Sequence, residues 1–492
     1  MTFLLGSLLA IPLLGALLCL WPRINVRVLL ILTPLVVIIT SALGITAIIA
    51  QRVNGELLGA LAWLRLDALS AFNLMVLYMV FLLASLQIPG YFRPQYKQGT
   101  FNLRMARRFS MLWLGALTSM TLVLLSNNLG IMWVGIEGTT LVTAFLISTN
   151  RTPASLEATW KYLIICSVGV AFAFMGTMLV GLAAHNIIAD GQPVLFWTNL
   201  RIHALELDAT LMKIAFIFLL VGFGTKAGLA PMHSWLPDAH SQAPAPVSAI
   251  FSGFMLNAAL YCIMRYLPLA EISLHYSHWA LNLLAGLGIV SILLAAAFIV
   301  LQKDIKRLLA YCSIEHVGII ALGVSLGGAG AMAGLLHGLN HSLAKTLSFL
   351  AAGRLGQVYG SYEISKLAGS LRAEPWWGSA LWGALLVLMG MAPLAIFMSE
   401  FMLLKAAAAE QAWWPLALFL AGATVVFISL ARQAIIIAWG ESSHKPLSAK
   451  TIALDKLIIV ISLSALLLLG LYMPEALWDF LRDAATIVGG AS

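Results

Sequence analysis

Long apolar runs, each separated from the next by a short polar or Gly- and Pro-containing segment, follow one another along the whole chain. A membrane-spanning α-helix needs about 20 mainly apolar residues. The pattern therefore predicts an all-α integral membrane protein with about fourteen transmembrane helices. The predicted spans are 2–20, 27–50, 67–88, 109–126, 129–148, 161–184, 211–230, 246–267, 279–301, 307–326, 330–352, 376–404, 411–439 and 452–473.

Two of these spans carry a similar interruption. The seventh runs into Gly228-Leu229-Ala230-Pro231, and the twelfth contains Gly390-Met391-Ala392-Pro393. Gly and Pro that interrupt corresponding helices of two halves are typical of transporters, in which broken helices line the ion path. Ordinary proline kinks, which are common in membrane helices, are the alternative interpretation.

Composition agrees with the apolar pattern. Of the 492 residues, 61% are hydrophobic and 10% are charged, and the mean hydropathy is +0.96. Soluble domains carry about 25% charged residues. We therefore expect no soluble domain, and we interpret the first apolar run as a span rather than a signal peptide because no basic segment precedes it.

The net charge of +8 is distributed unevenly between the predicted loops. Loops after odd-numbered spans hold 18 Lys and Arg residues, and those on the other side hold 7. The positive-inside rule then places both termini outside the cytoplasm, on the periplasmic side of a cell inner (plasma) membrane. The positive charge is explained by orientation in the bilayer, and we expect no nucleic-acid partner.

The cysteines give no ligand set for a redox centre. All fall inside predicted spans, and none forms a C-x-x-C pair: Cys19, Cys166, Cys262 and Cys312. Iron–sulfur clusters and structural zinc sites are held by clustered thiolates and imidazoles. We therefore expect no cofactor, no metal and no redox centre in this chain.

An acid and an amine lie within the first half of the bundle. Glu137 is near the middle of the fifth span and Lys226 is well inside the seventh. A charged side chain at the bilayer centre costs about 2.5–3.5 kcal/mol on insertion scales, so it needs a partner or a function. The two residues are predicted to pair and to exchange a proton when the pair opens. A purely structural salt bridge is the alternative.

A second set of titratable residues lies in the other half. His337, His341 and Lys345 are spaced four and four on the eleventh span, so they share one helical face. Neutral imidazole both donates and accepts, which suits a proton relay. His316 adds an imidazole on the tenth span, and Glu400 follows the break in the twelfth. A metal site and a structural hydrogen-bonded stripe are the alternatives.

The segment from Pro231 to Pro244 is rich in polar groups and includes His233. By charge counting it lies on the cytoplasmic side. It is either a proton entry point or an interfacial cap. The Gln302–Arg307 segment is interpreted as a cytoplasmic anchor.

These motifs together resemble one family. The His233–Pro244 sequence H-S-W-L-P-D-A-H-S-Q-A-P is similar to the signature of the antiporter-like subunits of respiratory complex I, of cation/proton antiporters and of membrane-bound [NiFe] hydrogenases. Four further segments most closely resemble the F-type subunits of hydrogenase-4: Ser126–Glu137, Ser155–Tyr162, Asp304–Tyr311 and His341–Thr346.

The resemblance implies an architecture and a set of roles. It implies an inverted five-helix repeat, spans 4–8 against 9–13. The corresponding segments are an N-terminal part (1–108), two half-channels (109–267 and 279–439) and a C-terminal helix (440–492). It also implies that Glu137 and Lys226 form the first half-channel pair, that Lys345 or its histidines form the central relay, and that Glu400 is the exit-side carboxylate.

Asn257 stands where many members of the family carry a lysine. An amide cannot titrate, so we interpret Asn257 as the holder of a water molecule that passes the proton. A simple hydrogen bond to a neighbouring helix is the alternative.

The leading hypothesis is a proton-translocating subunit, without a redox centre of its own, of a membrane-bound hydrogenase or formate-hydrogenlyase-like oxidoreductase complex. Its partners would be other membrane subunits, a peripheral hydrogenase or dehydrogenase module, and the lipid bilayer. A complex I NADH-quinone oxidoreductase M-type subunit and a multisubunit cation/proton antiporter subunit are close alternatives. A membrane scaffold that does not pump is an alternative from another class.

Overall fold

The structure is a computed structural model that describes residues 2–188, 191–441 and 451–489. Nearly all of the regular structure is helical. In chain order the α-helices are α1 (Thr2–Leu18), α2 (Val26–Asn54), α3 (Ala68–Lys97), α4 (Leu103–Leu125), α5 (Leu129–Ile147), α6 (Pro153–Ala184), α7 (Trp197–Ile202), α8 (Ala209–Ala227), α9 (Trp235–Gln242), α10 (Ala245–Ile250), α11 (Leu256–Ser273), α12 (Trp279–Ile299), α13 (Ile305–Ser325), α14 (Gly328–Tyr359), α15 (Ser370–Ala373), α16 (Pro375–Leu388), α17 (Ala395–Ala409), α18 (Trp413–Trp439), α19 (Ala453–Leu471) and α20 (Glu475–Gly489).

Polar residues in the short loops fix where many helices begin. The side chains of Asn25, Asn102, Asn128 and Asp304 each accept a hydrogen bond from a backbone N–H in the first turn of the helix that follows. Such caps satisfy donors that the helix leaves unpaired and contribute about 1 kcal/mol each. The polar residues that separate the apolar runs therefore also determine where the following helices begin.

The predicted helical spans are present at the expected places. By length and hydropathy, eleven helices of the described residues can cross a membrane. The remaining predicted spans correspond to α1, to α14 and to the broken pair α16–α17. The all-α membrane fold is confirmed; the count of about fourteen spans, the inverted repeat and the segment boundaries stay predictions.

Both predicted breaks are confirmed. The chain leaves α8 at Gly228 (φ 79°) and leaves α16 at Gly390 (φ 71°), backbone conformations that glycine adopts without a steric penalty. The peptide bonds before Pro231 and Pro393 are cis. Side chains of neighbouring helices satisfy backbone groups freed at each break, as broken membrane helices require. At the second break, the amide of Asn340 donates to the carbonyl of Ala395.

Three features were not predicted. A short antiparallel hairpin of β1 (Leu57–Gly59) and β2 (Leu64–Leu66) precedes α3. A π-helix, Phe251–Met255, joins α10 to α11. The terminal helix α20 is amphipathic and buries Phe480 and other apolar residues against the bundle. A single turn of π-helix within a long helix cannot be recognised from hydrophobic spacing alone.

Candidate functional site

The helices that carry the predicted site are those that the bundle encloses. Every residue of the most apolar stretch is buried in Ala245–Ser273 and in Ile305–Ser325, and most residues of α14 are buried as well. By contrast, the peripheral helix α18 buries only 22% of its most apolar stretch. Titratable side chains on the central helices are therefore kept from lipid and from bulk water, where a lone charge is costly.

Lys226 lies in the last turn of α8 and is fully buried. Its Nζ donates to Thr140 Oγ1 at 3.0 Å and to the Tyr162 hydroxyl at 2.5 Å. The same Nζ is 4.7 Å from the centre of the Tyr162 ring. The hydroxyls of Tyr162 and Thr143 are 2.6 Å apart. Hydroxyl groups and a ring face therefore surround this amine.

Glu137 is half-buried on α5, one turn before Thr140. Its Oε1 accepts a long hydrogen bond, 3.4 Å, from Ser167, and its Oε2 is buried without a partner among the described residues. The direct ion pair expected with Lys226 is absent between these two described side chains. Thr140 contacts both of them instead, so one hydroxyl separates the acid from the amine.

An apolar step follows Tyr162 toward the centre of the bundle. The Phe251 ring, at the start of the π-helix, lies 6.0 Å from the centre of the Tyr162 ring and 6.0 Å from that of His240. The sulfur of Met255 accepts a weak hydrogen bond from the Tyr162 hydroxyl at 3.6 Å. The hydrogen-bonded chain from Lys226 therefore ends at the π-helix.

His240 lies on the far side of Phe251. It belongs to α9, is fully buried, and stacks on the Phe349 ring with centroids 4.9 Å apart. Neither ring nitrogen has a partner among the described residues. An imidazole with two free nitrogens in a closed interior is able to accept and release a proton. Sequence reasoning did not select His240, because the same segment also holds His233.

Lys345 is the second fully buried amine, on α14. Its Nζ donates to the carbonyl of Leu309 at 2.8 Å and contacts Cys312. Glu315, one turn further along α13, is also buried, with one carboxylate oxygen unpartnered among the described residues. An amine and a carboxyl of the central helices thus lie close together, and Glu315 is a second residue that sequence reasoning left out of the site.

The predicted imidazoles are brought together. His316 Nδ1 is 2.9 Å from His337 Nε2, and the His316 ring is 5.1 Å from the His341 ring. His337 Nδ1 is in turn 3.0 Å from the hydroxyl of Ser399, the residue before Glu400. The predicted common face of His337, His341 and Lys345 is confirmed, because all three contact α13.

Glu400 is half-buried just after the second break. Its carboxylate packs against Gly390, where any side chain would collide with it. The break in the helix therefore makes the space that this acid occupies.

Asn257 lies on the α14 side of the bundle. Its Nδ2 donates to Ser342 Oγ at 2.8 Å and to the carbonyl of Gly338 at 3.4 Å. Its Oδ1 is buried without a partner among the described residues. A cavity of about 20 Å³ borders the residue, and about 10–15 Å³ is enough for one water. Asn257 thus makes the helix-to-helix hydrogen bonds and also borders a space large enough for a water.

Most of the His233–Pro244 segment forms α9, and polar side chains of neighbouring segments contact it. His233 itself is half-buried. Its ring lies 6.5 Å from that of Tyr311. Asp238 accepts hydrogen bonds from Lys161 at 3.0 Å and from Arg307 at 2.5 Å. Burial raises the pKa of Asp238, but these two bonds outweigh it and hold the pKa below its usual value.

Two buried basic residues differ from the interpretation of their segments. Lys306, read as part of a surface anchor, is 1% exposed and donates to the last carbonyls of α9, those of Ser241 and Ala243. Arg265, counted as a loop charge, lies inside α11 and forms a bidentate ion pair with Asp67. The burial of both residues could not be predicted from the sequence, because their partners lie far away along the chain.

One group of described residues has metal-ligand chemistry at short range. The ligand atoms of Cys312, Glu315 and His316 lie within 4.8 Å of one another. Lys345 contacts the same thiol, and a protonated amine there opposes a divalent cation. The chemistry that the whole arrangement fits best is transfer of protons between neighbouring amines, imidazoles and carboxyls.

The chain is similar to known proteins over most of its length. Residues 126–427 match the family described as NADH:quinone oxidoreductase/Mrp antiporter, transmembrane region. The hydrogenase-4 component F homologue of Methylacidiphilum infernorum is 44% identical over 306 residues, which are 62% of this chain and 64% of that protein. Hydrogenase-4 component B of Escherichia coli is 30% identical over 351 residues, 68% of this chain and 50% of that protein.

The matches to these two curated relatives span less than two thirds of each relative's length. Among solved structures, a chain of the Mrp complex from Dietzia sp. superposes with a TM-score of 0.87 at 20% identity, covering 100% of this chain and 98% of that chain. At this identity the likeness shows the fold alone.

Proposed function

This chain belongs to the NADH:quinone oxidoreductase/Mrp antiporter family of membrane subunits, and we propose that it moves protons across the membrane as part of a respiratory-type redox complex. The observation that carries the proposal is the row of fully buried titratable groups inside the bundle. It runs from Lys226 through His240 to Lys345, and from there to the imidazoles of α13 and α14. Groups of this kind inside a membrane domain mark ion pathways.

The proposed path in the first half begins with Glu137 and Lys226. A proton on Lys226 reaches Tyr162 and Thr143 through short hydrogen bonds. Transfer onward requires water or a movement of Phe251, because its ring fills the space between Tyr162 and His240. The π-helix that carries Phe251 is the place where the path opens and closes, and π-bulges are frequent at functional sites.

In the second half, the proton moves among Lys345, Glu315 and the imidazoles. His316 and His337 share a 2.9 Å contact, so a proton on one nitrogen is passed to the other by exchange of donor and acceptor roles. Ser399 and then Glu400 complete the path toward the second break. We assign His240, between the Phe251 and Phe349 rings, as the link between the two halves of the path, and Asn257 keeps the role of holding a water beside α14.

An entry point is proposed at α9. A polar pocket of about 120 Å³ is lined by Glu157, Lys161, Asp238 and Arg307, among others. Asp238 is three residues after Trp235 and two residues before His240 on the same short helix. By the distribution of Lys and Arg, this side is cytoplasmic and both termini are periplasmic in a cell inner membrane. His233 lies just before α9 and is less buried than His240.

The complex that contains this chain is proposed to be a membrane-bound hydrogenase of the hydrogenase-4 type. The support is the 44% identity to a hydrogenase-4 component F homologue. Relatives named as NADH-quinone oxidoreductase and Na⁺/H⁺ antiporter subunits are 28–32% identical. Other membrane subunits and a peripheral hydrogenase or dehydrogenase module would be its partners, and the electron-transfer centres would lie in those subunits.

Proton uptake by the reconstituted complex tests the proposal. The complete complex is placed in liposomes, and a pH-sensitive dye follows proton movement during turnover. Lys226→Met is expected to reduce proton movement at least ten-fold, because the buried amine is the link between Glu137 and Tyr162. Lys213→Met, on the outer part of the same helix, is the matched control and should pump normally.

Co-purification and Western analysis must show equal assembly of both variants. Normal pumping by Lys226→Met would favour the scaffold hypothesis, in which the buried groups only hold helices together. Mass spectrometry of the subunits that co-purify separates the hydrogenase assignment from a quinone-reducing complex and from an antiporter.

A further inference from the structure

A pocket of about 270 Å³ lies at one end of the bundle, between the start of α4 and the end of α5. It is separate from the row of buried titratable groups. Its lining residues come from the start of α4 and from the loop after α5: Asn102, Arg104, Met105, Arg108, Thr149 and Arg151. Three of the six are arginines, and no carboxylate lines the pocket.

The three guanidinium groups have no anionic partner in the described part of the chain. Arg104, Arg108 and Arg151 take part in none of the ion pairs or side-chain hydrogen bonds found there, and Arg108 only lies over the Phe145 ring, 5.1 Å from its centre. By contrast, the neighbouring Arg107 donates to two backbone carbonyls. Three cations around one small space repel one another unless an anion lies between them.

Backbone polarity adds to the positive charge. α4 begins at Leu103, and Asn102 caps it by accepting from the N–H of Met105. The first turn of this 23-residue helix therefore presents the positive end of its dipole at the mouth of the pocket. The pocket combines this helix start with the arginines, a combination that suits a phosphate group.

An apolar surface continues from the pocket into the membrane region. Leu141 and Phe145, one turn apart on α5, are 52% and 46% exposed. Phe145 is also the residue whose ring Arg108 covers. A ligand whose phosphate lies among the arginines would therefore have its apolar part beside α5. A soluble anion has no apolar part that could contact this second surface.

We propose that the pocket binds the headgroup of an anionic phospholipid, with an acyl chain along Leu141 and Phe145. The three guanidiniums hold the phosphate, and the face of α5 holds the chain. The position agrees with the excess of Lys and Arg on this side of the bundle, because anionic lipids of the cytoplasmic leaflet attract such residues. The site anchors the first half of the bundle without taking part in proton transfer.

Lipid retention by the whole complex tests the site. The complex is purified into nanodiscs of phosphatidylcholine with a titrated fraction of phosphatidylglycerol or of diphosphatidylglycerol, and bound lipids are counted by native mass spectrometry. The variant carries Arg104→Gln, Arg108→Gln and Arg151→Gln. Each cation near an anionic surface contributes roughly five-fold in affinity, so the variant should bind on the order of 100-fold more weakly.

The control removes the same charge elsewhere on the same predicted side, by Lys97→Gln, Lys303→Gln and Arg372→Gln. It should retain the lipid as the wild type does. Arg151→Gln alone, which changes only an exposed loop residue, gives a second reading if the triple variant assembles poorly. It should weaken lipid binding about five-fold.

Three results would overturn the proposal. One is equal retention in the arginine variants and the control. A second is displacement of the lipid by inorganic phosphate or glycerol phosphate at millimolar concentration, which would mean that the acyl chain contributes nothing. A third is efficient cross-linking of Asn102→Cys to a neighbouring subunit in complexes that hold no lipid at this place.

Discussion

The buried amine of Lys226 depends on hydroxyl groups rather than on a carboxylate. A protonated lysine with such partners is stabilised less than one in a tight ion pair, so its proton is easier to move. Thr140 contacts both Glu137 and Lys226, and in the proposed path this arrangement leaves the acid able to exchange a proton with the amine. A structural salt bridge would need the opposite arrangement, with direct contact and no free carboxylate oxygen.

Substitution of Tyr162 is the most direct test of the hydrogen bonds around Lys226. Tyr162→Phe removes the hydroxyl that accepts from Lys226 and bonds with Thr143, while leaving the ring in place. We expect proton translocation by the reconstituted complex to fall about ten-fold or more, with assembly unchanged.

The matched control is Tyr266→Phe. Tyr266 is equally buried, and its hydroxyl lies 2.7 Å from Thr177, away from the proposed path. Both variants lose one buried hydroxyl–hydroxyl contact, which contributes about 1 kcal/mol. Tyr162→Phe also loses the hydrogen bond that the hydroxyl accepts from Lys226. Equal pumping by the two variants would show that Tyr162 only supports the packing of α6.

Asn257 separates a water-holding role from a structural one. Asn257→Leu removes both hydrogen bonds to α14 and fills the adjoining cavity of about 20 Å³. Asn257→Ser keeps a donor and an acceptor with room for water. If a water at this place passes protons, Leu should block translocation and Ser should keep most of it, as measured with the dye assay in complexes of equal subunit content. Wild-type pumping by Asn257→Leu would assign the residue to helix packing alone.

At the scale of helices, irregular segments position the chemistry. α8 ends one residue after Lys226, and the break after α16 makes room for Glu400 against Gly390. The π-helix places Phe251 between Tyr162 and His240. A straight helix at any of these places would turn the side chains away from one another, which is why these titratable groups and the irregular backbone coincide.

A second buried charge cluster holds α3 to α11 away from the path. Asp67 accepts two hydrogen bonds from Arg265, at 2.6 and 2.7 Å, and also pairs with Arg65 at 3.3 Å. Tyr261 and Ser70 complete the partners of Arg265. The cluster fixes the middle of α11 to the start of α3, whereas the π-helix lies before the first residue of α11.

Removal of the acid from this cluster should be strongly destabilising. Asp67→Asn leaves the buried guanidinium of Arg265 without a counter-charge, whereas Arg65 keeps its ion pair with Glu56. Breaking one partner of a buried pair costs about 3–5 kcal/mol. We expect a lower midpoint temperature of thermal unfolding for the complex in detergent. Arg265→Met should cost less, because Asp67 still pairs with Arg65.

The surface pair Arg52–Asp483, which joins α2 to α20, provides the control. Both of its side chains are substantially exposed, so Asp483→Asn should change stability by about 0–1 kcal/mol. An equal small effect of Asp67→Asn would show that water reaches the cluster.

At the scale of the molecule, the sequence predicted the helical membrane fold, both breaks and the common face of His337, His341 and Lys345. These features are local, since they depend on apolar run length, on Gly and Pro, and on a four-residue spacing. His240 and Arg265 were missed for the opposite reason. Their burial depends on Phe349 and Asp67, which lie more than a hundred residues away and give no signal in the neighbouring sequence.

The orientation of the chain in the membrane is a prediction that rests on charge alone. The Lys and Arg bias, 18 against 7, places the loop between α3 and α4 in the cytoplasm and the loop between α6 and α7 outside. Thr100 and Gln192 are exposed residues of these two loops. The native thiols give little background, because all four cysteines are buried.

A membrane-impermeant maleimide should therefore label Gln192→Cys in intact cells, after removal of the outer membrane where one is present. Thr100→Cys should react only after permeabilisation. The two variants control for each other, because the two loops are predicted to lie on opposite sides of the membrane. The reverse pattern would place α9 and its pocket on the periplasmic side, so that protons would enter at the end of the path now assigned to exit, near Glu400. The lipid pocket beside Arg151 would then face the outer leaflet. One labelling experiment thus fixes the direction of the proposed proton path and the leaflet of the proposed lipid together.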